Sequence, residues 1–496
     1  MDRQRARPSN SLRLILDRSI IATTFVLLAC FLISFLILSI QYLHYPYEID
    51  YGEGCSMLFL SQLQTFGTYF FDINNYPFSY ATYPPVFMLL GWLVNLFVPS
   101  MLMALRLLSV IATGLLLVVL YCLIYNRTRQ RILSLIFTLS FIGVWFVKLW
   151  APLARVDMLV FFFTTTGLLI FQVWIKDKRR YWAFLFFILA FFTKQNAILA
   201  PLSILLFSLA HKEQRRYFLS YVAVYTIPIL SLFLLLDVYT HGEAFKHLIL
   251  YTSQRGFDPL TFVKYLLIFF STFAILLSLA SPFRFMKKIW ASDDLIYWFY
   301  LVLNLFSIPT VAITGANLNY LIEPALSIII WSSILSNHWV QNDILKAQTR
   351  YSFLLFLIMA NAFLLFIAGV FVRKSINIPL TDELYFVEGA YQNNRNEKEA
   401  LGAILKNTPG EVLCEDLTLL VLEQKPVLLG CSYPLAEQGL WSPERLIEDC
   451  EKKRFGGIFL LKRIQVIPEL AACIEKHYLL KKNVGPYRVY ALSEAS

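Results

Sequence analysis

Charge is scarce in this chain. Asp, Glu, Lys and Arg make up 15 % of its 496 residues, and apolar residues make up 58 %. Soluble domains carry about a quarter charged residues. The deficit excludes an ordinary cytosolic enzyme and a disordered chain. Lys and Arg are missing altogether between residues 19 and 105. The seven Cys are irregularly spaced, which excludes a disulfide-rich mini-protein and any zinc motif. No internal repeat occurs, and the last quarter of the chain has no glycine-rich phosphate loop. What remains is a polytopic helical membrane protein.

The positive charge that is present is unevenly placed. Residues 1–375 hold 29 Lys and Arg against 16 Asp and Glu, whereas residues 376–496 hold 14 against 17. The tail therefore reads as a separate soluble unit. In the body, the basic residues sit in short clusters between apolar runs, as cytoplasmic membrane loops do. They do not line one face, which argues against a nucleic-acid partner.

Apolar runs long enough to be candidate spans occupy 19–41, 84–100, 102–125, 132–148, 156–175, 181–194, 196–210, 217–237, 262–281, 295–313, 320–336 and 352–372. Basic segments 126–131, 176–180, 211–216, 283–288 and 337–350, with Arg3, Arg5, Arg7, Arg13 and Arg18, are expected to face the cytoplasm. Segments 42–83, 238–261 and 314–319 fall on the other side. One stretch does not close: two full crossings within 84–125 would put the basic segment 126–131 outside. Either 84–100 is a half-depth helix or that segment breaks the rule, so 11 to 13 spans are expected. The first run has a basic front but no small-residue cleavage site, and it reads as an uncleaved helix. The expected organisation is a cytoplasmic N-terminus 1–18, a membrane module 19–372 whose first outer loop is 42–83, and an α/β domain 376–496 outside the cytoplasm.

In the tail, 411–415, 426–430, 456–461 and 487–492 read as strands. A helix capped by Ser442 with Pro443 at its first position runs to about 453, and another lies at 468–476. Alternation of strands and helices predicts a small parallel sheet. Bridges and buried thiols are equally compatible with the tail cysteines.

Candidate chemistry clusters on the outer side. Asp50 and Glu53 are three residues apart in Tyr-Glu-Ile-Asp-Tyr-Gly-Glu-Gly. In a helix they would share a face. Such carboxylates can accept a proton from a hydroxyl or hold a divalent ion, or simply be a solvated acidic loop. Tyr83 precedes Pro84-Pro85, a rigid helix start. Arg155 and Asp157 interrupt one apolar run, and Lys194, Gln195 and Asn196 interrupt another. Charges at membrane depth mark function or fasten helices as pairs. Asn317, Asn319 and Tyr320 could bind a sugar or make a turn. His241, Lys246, His247 and Arg255 could meet an anionic lipid phosphate. Carboxylates, cations and amides at one end of an apolar bundle suit a greasy molecule with a phosphorylated polar head.

Asp50-Tyr-Gly-Glu-Gly, Gly67-Thr-Tyr69 and Tyr83-Pro-Pro-Val resemble the first-loop pattern of GT-C fold glycosyltransferases. Among these, the bacterial relatives of protein O-mannosyltransferases and of lipid A aminoarabinose transferase are most similar. Arg155-Val-Asp157, Thr193-Lys-Gln195 and Asn317-Leu-Asn-Tyr320 extend the resemblance, which spans residues 20–340. It implies an all-α polytopic bundle in a bacterial inner membrane, with the small α/β domain outside. It also implies inverting sugar transfer from a polyprenyl-phosphate donor to a glycan, lipid or protein hydroxyl. Asp50 or Glu53 would be the general base. Tyr83, Arg155, Asp157, Lys194, Gln195, Lys246, Arg255, Asn317, Asn319 and Tyr320 would bind substrate. No obligatory metal is assigned, with room left for Mg or Mn. Two departures stand out: Tyr51 and Gly52 separate the carboxylates that relatives place side by side, and Tyr83 stands where some relatives have Lys or His. The alternative is a transporter or flippase of lipid-linked sugars, although no repeat and no mid-membrane polar break supports it.

Overall fold

The computed structural model describes residues 10–279, 286–341, 390–431, 433–436, 439–461 and 467–492. The expected span 352–372, most of the basic segment 337–350, and Arg3, Arg5 and Arg7 lie outside the described residues. The body is a helical membrane bundle. Among the described residues, five stretches are long and apolar enough to cross a bilayer: Ala22–His44, Met101–Thr128, Arg215–Tyr239, Leu295–Ala312 and Leu318–His338. Shorter apolar helices such as Asp157–Val173 and Leu199–Ala210 pack among them.

Helices are numbered in chain order: α1 (Asn10–His44), α2 (Tyr51–Phe66), α3 (Val86–Asn95), α4 (Met101–Thr128), α5 (Arg131–Gly143), α6 (Trp145–Trp150), α7 (Asp157–Val173), α8 (Trp182–Phe191), α9 (Leu199–Ala210) and α10 (Phe218–Tyr239). A short turn, Glu243–Phe245 (α11), runs into a π-helical stretch, Lys246–Tyr251. There follow α12 (Pro259–Leu279), α13 (Met286–Trp290), α14 (Leu295–Ser307) and α15 (Ile322–Gln341). The runs expected at 132–148 and 295–313 are each broken, the first after Gly143 and the second by a 3-10 turn at Ile308–Ala312.

Within 84–125 only α4 is long and apolar enough to cross a bilayer. Ten residues of α3 rise only about 15 Å, half a hydrocarbon core. Ser100 then caps α4, its hydroxyl accepting from Met103 N at 3.3 Å. Within α4, Arg106 and Arg127 are about 30 Å apart along the axis, one bilayer thickness. At the Arg127 end, Arg127 and His338 both reach Asp294, at 2.5 and 3.1 Å. The bundle centre is α15, whose Ile322, Leu326, Ile329, Ile330 and Trp331 are fully buried. Helices α1 and α10 instead expose Ile33, Ile37, Ile40, Leu230, Leu234 and Leu235. Such stripes suit lipid and would be an aggregation liability in water.

The C-terminal unit is α/β, but its sheet is mixed, not parallel. Strands β1 (Glu411–Cys414), β2 (Phe455–Leu460), β3 (Tyr478–Val484) and β4 (Tyr487–Leu492) lie in the order β1-β2-β4-β3. Only β1 and β2 are parallel. β3 and β4 form a hairpin that turns at Gly485, φ 54°. β3 escaped the sequence reading because its Leu-Leu-Lys-Lys-Asn centre is exposed and lacks alternation. The expected strand at 426–430 does not join this sheet. Its backbone meets the segment 42–83 instead: Phe78 N donates to Leu428 O at 3.0 Å, and Gly430 N donates to Phe78 O at 2.8 Å. Pro443 stands just before the helix Glu444–Glu451, not inside it, and Ser442 Oγ accepts from Glu444 N. Cys55 and Cys431 form a disulfide, while Cys414, Cys450 and Cys473 are buried thiols.

Candidate active site

Asp50-Tyr-Gly-Glu is a capping box. Asp50 ends an extended segment as the N-cap of α2, its carboxylate accepting from backbone N–H groups, and Glu53 reaches back to the Asp50 N–H. The two carboxylates therefore do not share a helix face. Glu53 turns inward and is fully buried. Its oxygens accept from Arg106 Nε at 2.8 Å, Arg106 Nη2 at 2.7 Å, Ala154 N at 2.8 Å and Ile49 N at 2.8 Å. Arg106 also donates to the carbonyls of Tyr42, Tyr45 and Tyr47. This knot ties α1, α2 and α4 together, and it has no room for a substrate proton.

Asp50 faces a cavity of about 350 Å³. Of the sequence candidates, Asp50, Tyr83, Arg155, Lys194, Gln195, Arg255, Asn317 and Tyr320 line it, while Glu53, Asp157, Asn319 and Lys246 do not. Tyr80, Trp150 and Phe59 add aromatic wall. Arg155 and Asp157 do not pair with each other. Arg155 Nη1 sits 3.1 Å from Asp50, and its Nη2 donates to Tyr83 Oη at 3.4 Å. Asp157, buried behind the cavity, accepts from Lys194 Nζ at 2.8 Å, Asn319 Nδ2 at 3.1 Å and Trp150 Nε1 at 3.1 Å. Lys194 lies over the Tyr320 ring at 4.3 Å. Gln195 donates to the carbonyls of Thr82 and Leu248, which fixes the wall. Arg255 donates weakly to the carbonyls of Thr252 and Thr314. Lys246 turns away to Glu243 at 2.7 Å and is half exposed, so it does not join the site.

The site thus sets one carboxylate among three cations between aromatic rings. That charge balance suits an anionic group beside an acidic proton. Among the described residues no three His, Cys, Asp or Glu side chains converge as metal ligands. The one cavity-facing carboxylate of the candidate pair is already held by Arg155. Asp50 is the one carboxylate among the cavity-lining residues, so a divalent ion there would need substrate oxygens for its remaining ligands.

Gly52 is the residue that permits the Asp50–Arg155 pair. A Cβ there would lie 1.1 Å from Arg155 Nη1 and 2.9 Å from Asp50 Oδ2. Gly52→Ala should displace the guanidinium and lower kcat/KM about a hundredfold, since a small misplacement costs that much. Its melting temperature should fall only modestly, because the group displaced is the far end of a flexible side chain and Ala favours the helix. Parallel activity and thermal-shift measurements test this, and an unimpaired Gly52→Ala variant would refute it.

His247, which the sequence groups with the lipid-phosphate cations, is structural. Its Nδ1 accepts from Ala81 N at 2.9 Å, so Nε2 carries the proton and donates to Phe71 O at 2.8 Å. It pins the segment 240–258 to the first loop. Burial pulls its imidazole down from 6.5 to about 4. Below 6.5 the unfolded chain takes up a proton that the native state refuses. This contribution to stability is therefore lost as pH falls from 6.5 towards 4. Thermal melts across that range should fall more steeply for the parent than for His247→Gln; matching slopes would exclude the residue as the cause.

Arg106, which holds Glu53 behind the cavity, is the buried charge that sequence reasoning missed. Its signal was available: it is the first cation after an 87-residue stretch without Lys or Arg, and it lies within an apolar run, where a charge needs a partner.

No protein-family model and no curated protein matches the chain. Solved structures do. ArnT from Cupriavidus metallidurans bound to undecaprenyl phosphate aligns with a TM-score of 0.62 at 13 % identity, over 94 % of this chain and 98 % of its own. The archaeal oligosaccharyltransferase AglB from Archaeoglobus fulgidus, in complex with an inhibitory peptide and a dolichol-phosphate, aligns with a TM-score of 0.56 at 11 % identity, over 95 % of this chain and 74 % of its own. Both are GT-C glycosyltransferases. The chain accordingly has the GT-C fold: a multi-pass helical membrane bundle carrying a small C-terminal α/β unit.

Proposed function

We propose that this protein is an integral-membrane glycosyltransferase that takes a sugar from a polyprenyl-phosphate donor and passes it, with inversion, to a hydroxyl of a glycan, lipid or protein. The observation that carries the reading is the cavity, where Asp50 meets Arg155, Lys194 and Arg255 between aromatic walls. The neighbours with lipid phosphates in their structures support the donor class.

Asp50 is the base. As the acceptor oxygen bonds to the anomeric carbon, its proton passes to the Asp50 carboxylate. The bond from that carbon to the phosphate oxygen breaks, and the lipid leaves as a phosphomonoester. The new negative charge falls to Arg255, Lys194 and Arg155, which are already in place. Asp157, itself held by Asn319, holds Lys194, and Glu53 holds the N-terminus of α2, so these three position and do not react. Asn317 and Tyr320 contact the sugar or phosphate. The cavity opens on the extracytoplasmic side of a bacterial inner membrane, one bilayer away from the basic segments 126–131 and 176–180.

Purified protein incubated with a panel of polyprenyl-phosphate sugars and extracytoplasmic acceptors should release polyprenyl phosphate and form product. No turnover with any member of the panel would defeat the reading.

A further inference from the structure

We propose that the Cys55–Cys431 disulfide is a latch that makes the C-terminal unit a wall of the catalytic cavity, and that this unit serves to keep bulk water from Asp50. The inference rests on the glycosyltransferase reading for its chemistry, but not for its geometry.

Helix α2 bears Asp50 at its N-cap and Cys55 within its second turn. Cys431, bonded to Cys55 across 376 residues, lines the cavity together with Asp50, Tyr51 and Arg155. The residues leading to it are laid along the first loop by the two backbone hydrogen bonds between Phe78 and 428–430. Tyr51 Oη donates to Gly430 O at 3.4 Å. Gly430 passes so close that a Cβ there would lie 2.9 Å from Ser79 Oγ and 3.1 Å from Leu58 Cδ2. A larger residue would lift this segment off the cavity.

The bond is not what attaches the unit as a whole. Tyr76 Oη donates to Asp449 at 2.7 Å, and Thr418 Oγ1 donates to Glu48 at 3.0 Å. Ile73, Phe78 and Tyr80 are buried in one cluster with Leu413, Leu429 and Trp441. With docking supplied elsewhere, the disulfide acts where it sits, on the segment beside the general base. Water is the competing nucleophile there. If its oxygen bonds to the anomeric carbon, its proton goes to Asp50, the carbon–phosphate oxygen bond breaks, and the donor is lost as free sugar. A closed wall suppresses that reaction.

The test uses full-length protein, with and without the double change Cys55→Ser and Cys431→Ser. Donor consumption is divided between transfer and hydrolysis, and the hydrolysed share should rise about tenfold without the latch. A second readout needs no turnover. Thr82→Cys places a thiol on the cavity wall, and a charged, water-soluble maleimide labels it, the site being located by peptide mass. Removing the latch should speed that labelling about tenfold, while Cys414, buried in the tail core, stays unlabelled as a report that the unit remains folded. Unchanged labelling at position 82 overturns the proposal. So does labelling of Cys414 in step with it, which would make the bond a general stabiliser. Should the parent move no sugar, the glycosyltransferase reading fails, and the two labelling rates still decide the latch.

Discussion

Asp50→Asn is expected to lower sugar transfer about 10²–10⁴-fold, the range lost when a positioned general base is removed, while the protein remains folded. Asn is nearly isosteric with Asp and is an equally good N-cap. It can still accept from Gly52 N, as Asp50 Oδ2 does at 3.1 Å. It cannot take the acceptor proton, and it leaves Arg155 without its countercharge. The prediction is therefore an isolated loss of kcat. Steady-state assays with a polyprenyl-phosphate sugar, paired with size-exclusion profiles in detergent, check both halves. A variant turning over at the parental rate would remove Asp50 from the chemistry.

Glu53→Gln should have the opposite signature. Neither Glu53 nor Arg106 has any exposed side-chain surface. A neutral amide in place of Glu53 leaves the guanidinium buried without its counterion, and breaking one side of a buried pair costs about 3–5 kcal/mol. It also turns an NH₂ group towards donors such as Ala154 N. A sharp drop in melting temperature and in folded yield is expected. The rate per folded molecule should change far less than in Asp50→Asn. If Glu53→Gln melts like the parent but is inactive, the roles of the two carboxylates are interchanged.

That contrast marks where the sequence was legible. The membrane bundle follows from apolar runs and charge asymmetry, and short motifs name eight of the residues that line the cavity, Asp50, Tyr83, Arg155, Lys194, Gln195, Arg255, Asn317 and Tyr320. Of the two readings of 84–100, the ten-residue length of α3 fits the half-depth helix. The roles of the paired carboxylates were harder to see. Spacing of i and i+3 is shared by a helix face and a capping box, and only the extended backbone of Asp50, φ −123° and ψ 135°, separates the two. Partner choice was equally hidden. Arg155 and Asp157 are near neighbours in the chain, yet each reaches a residue far away in sequence, Asp50 and Lys194. Lys246 failed because a local partner, Glu243, satisfies it. The segment 426–430 has strand composition, but the edge it meets belongs to the first loop, and composition does not name a partner.

The bond between residues 55 and 431 also sets an order of manufacture. Chains are made from the N-terminus at about 5–20 residues per second, so the first loop is translated well before Cys431 leaves the ribosome. Throughout that interval Asp50 belongs to a half-built enclosure. A nascent or truncated polypeptide ending short of residue 431 would hold every cation and carboxylate of the candidate site and still lack one side of it.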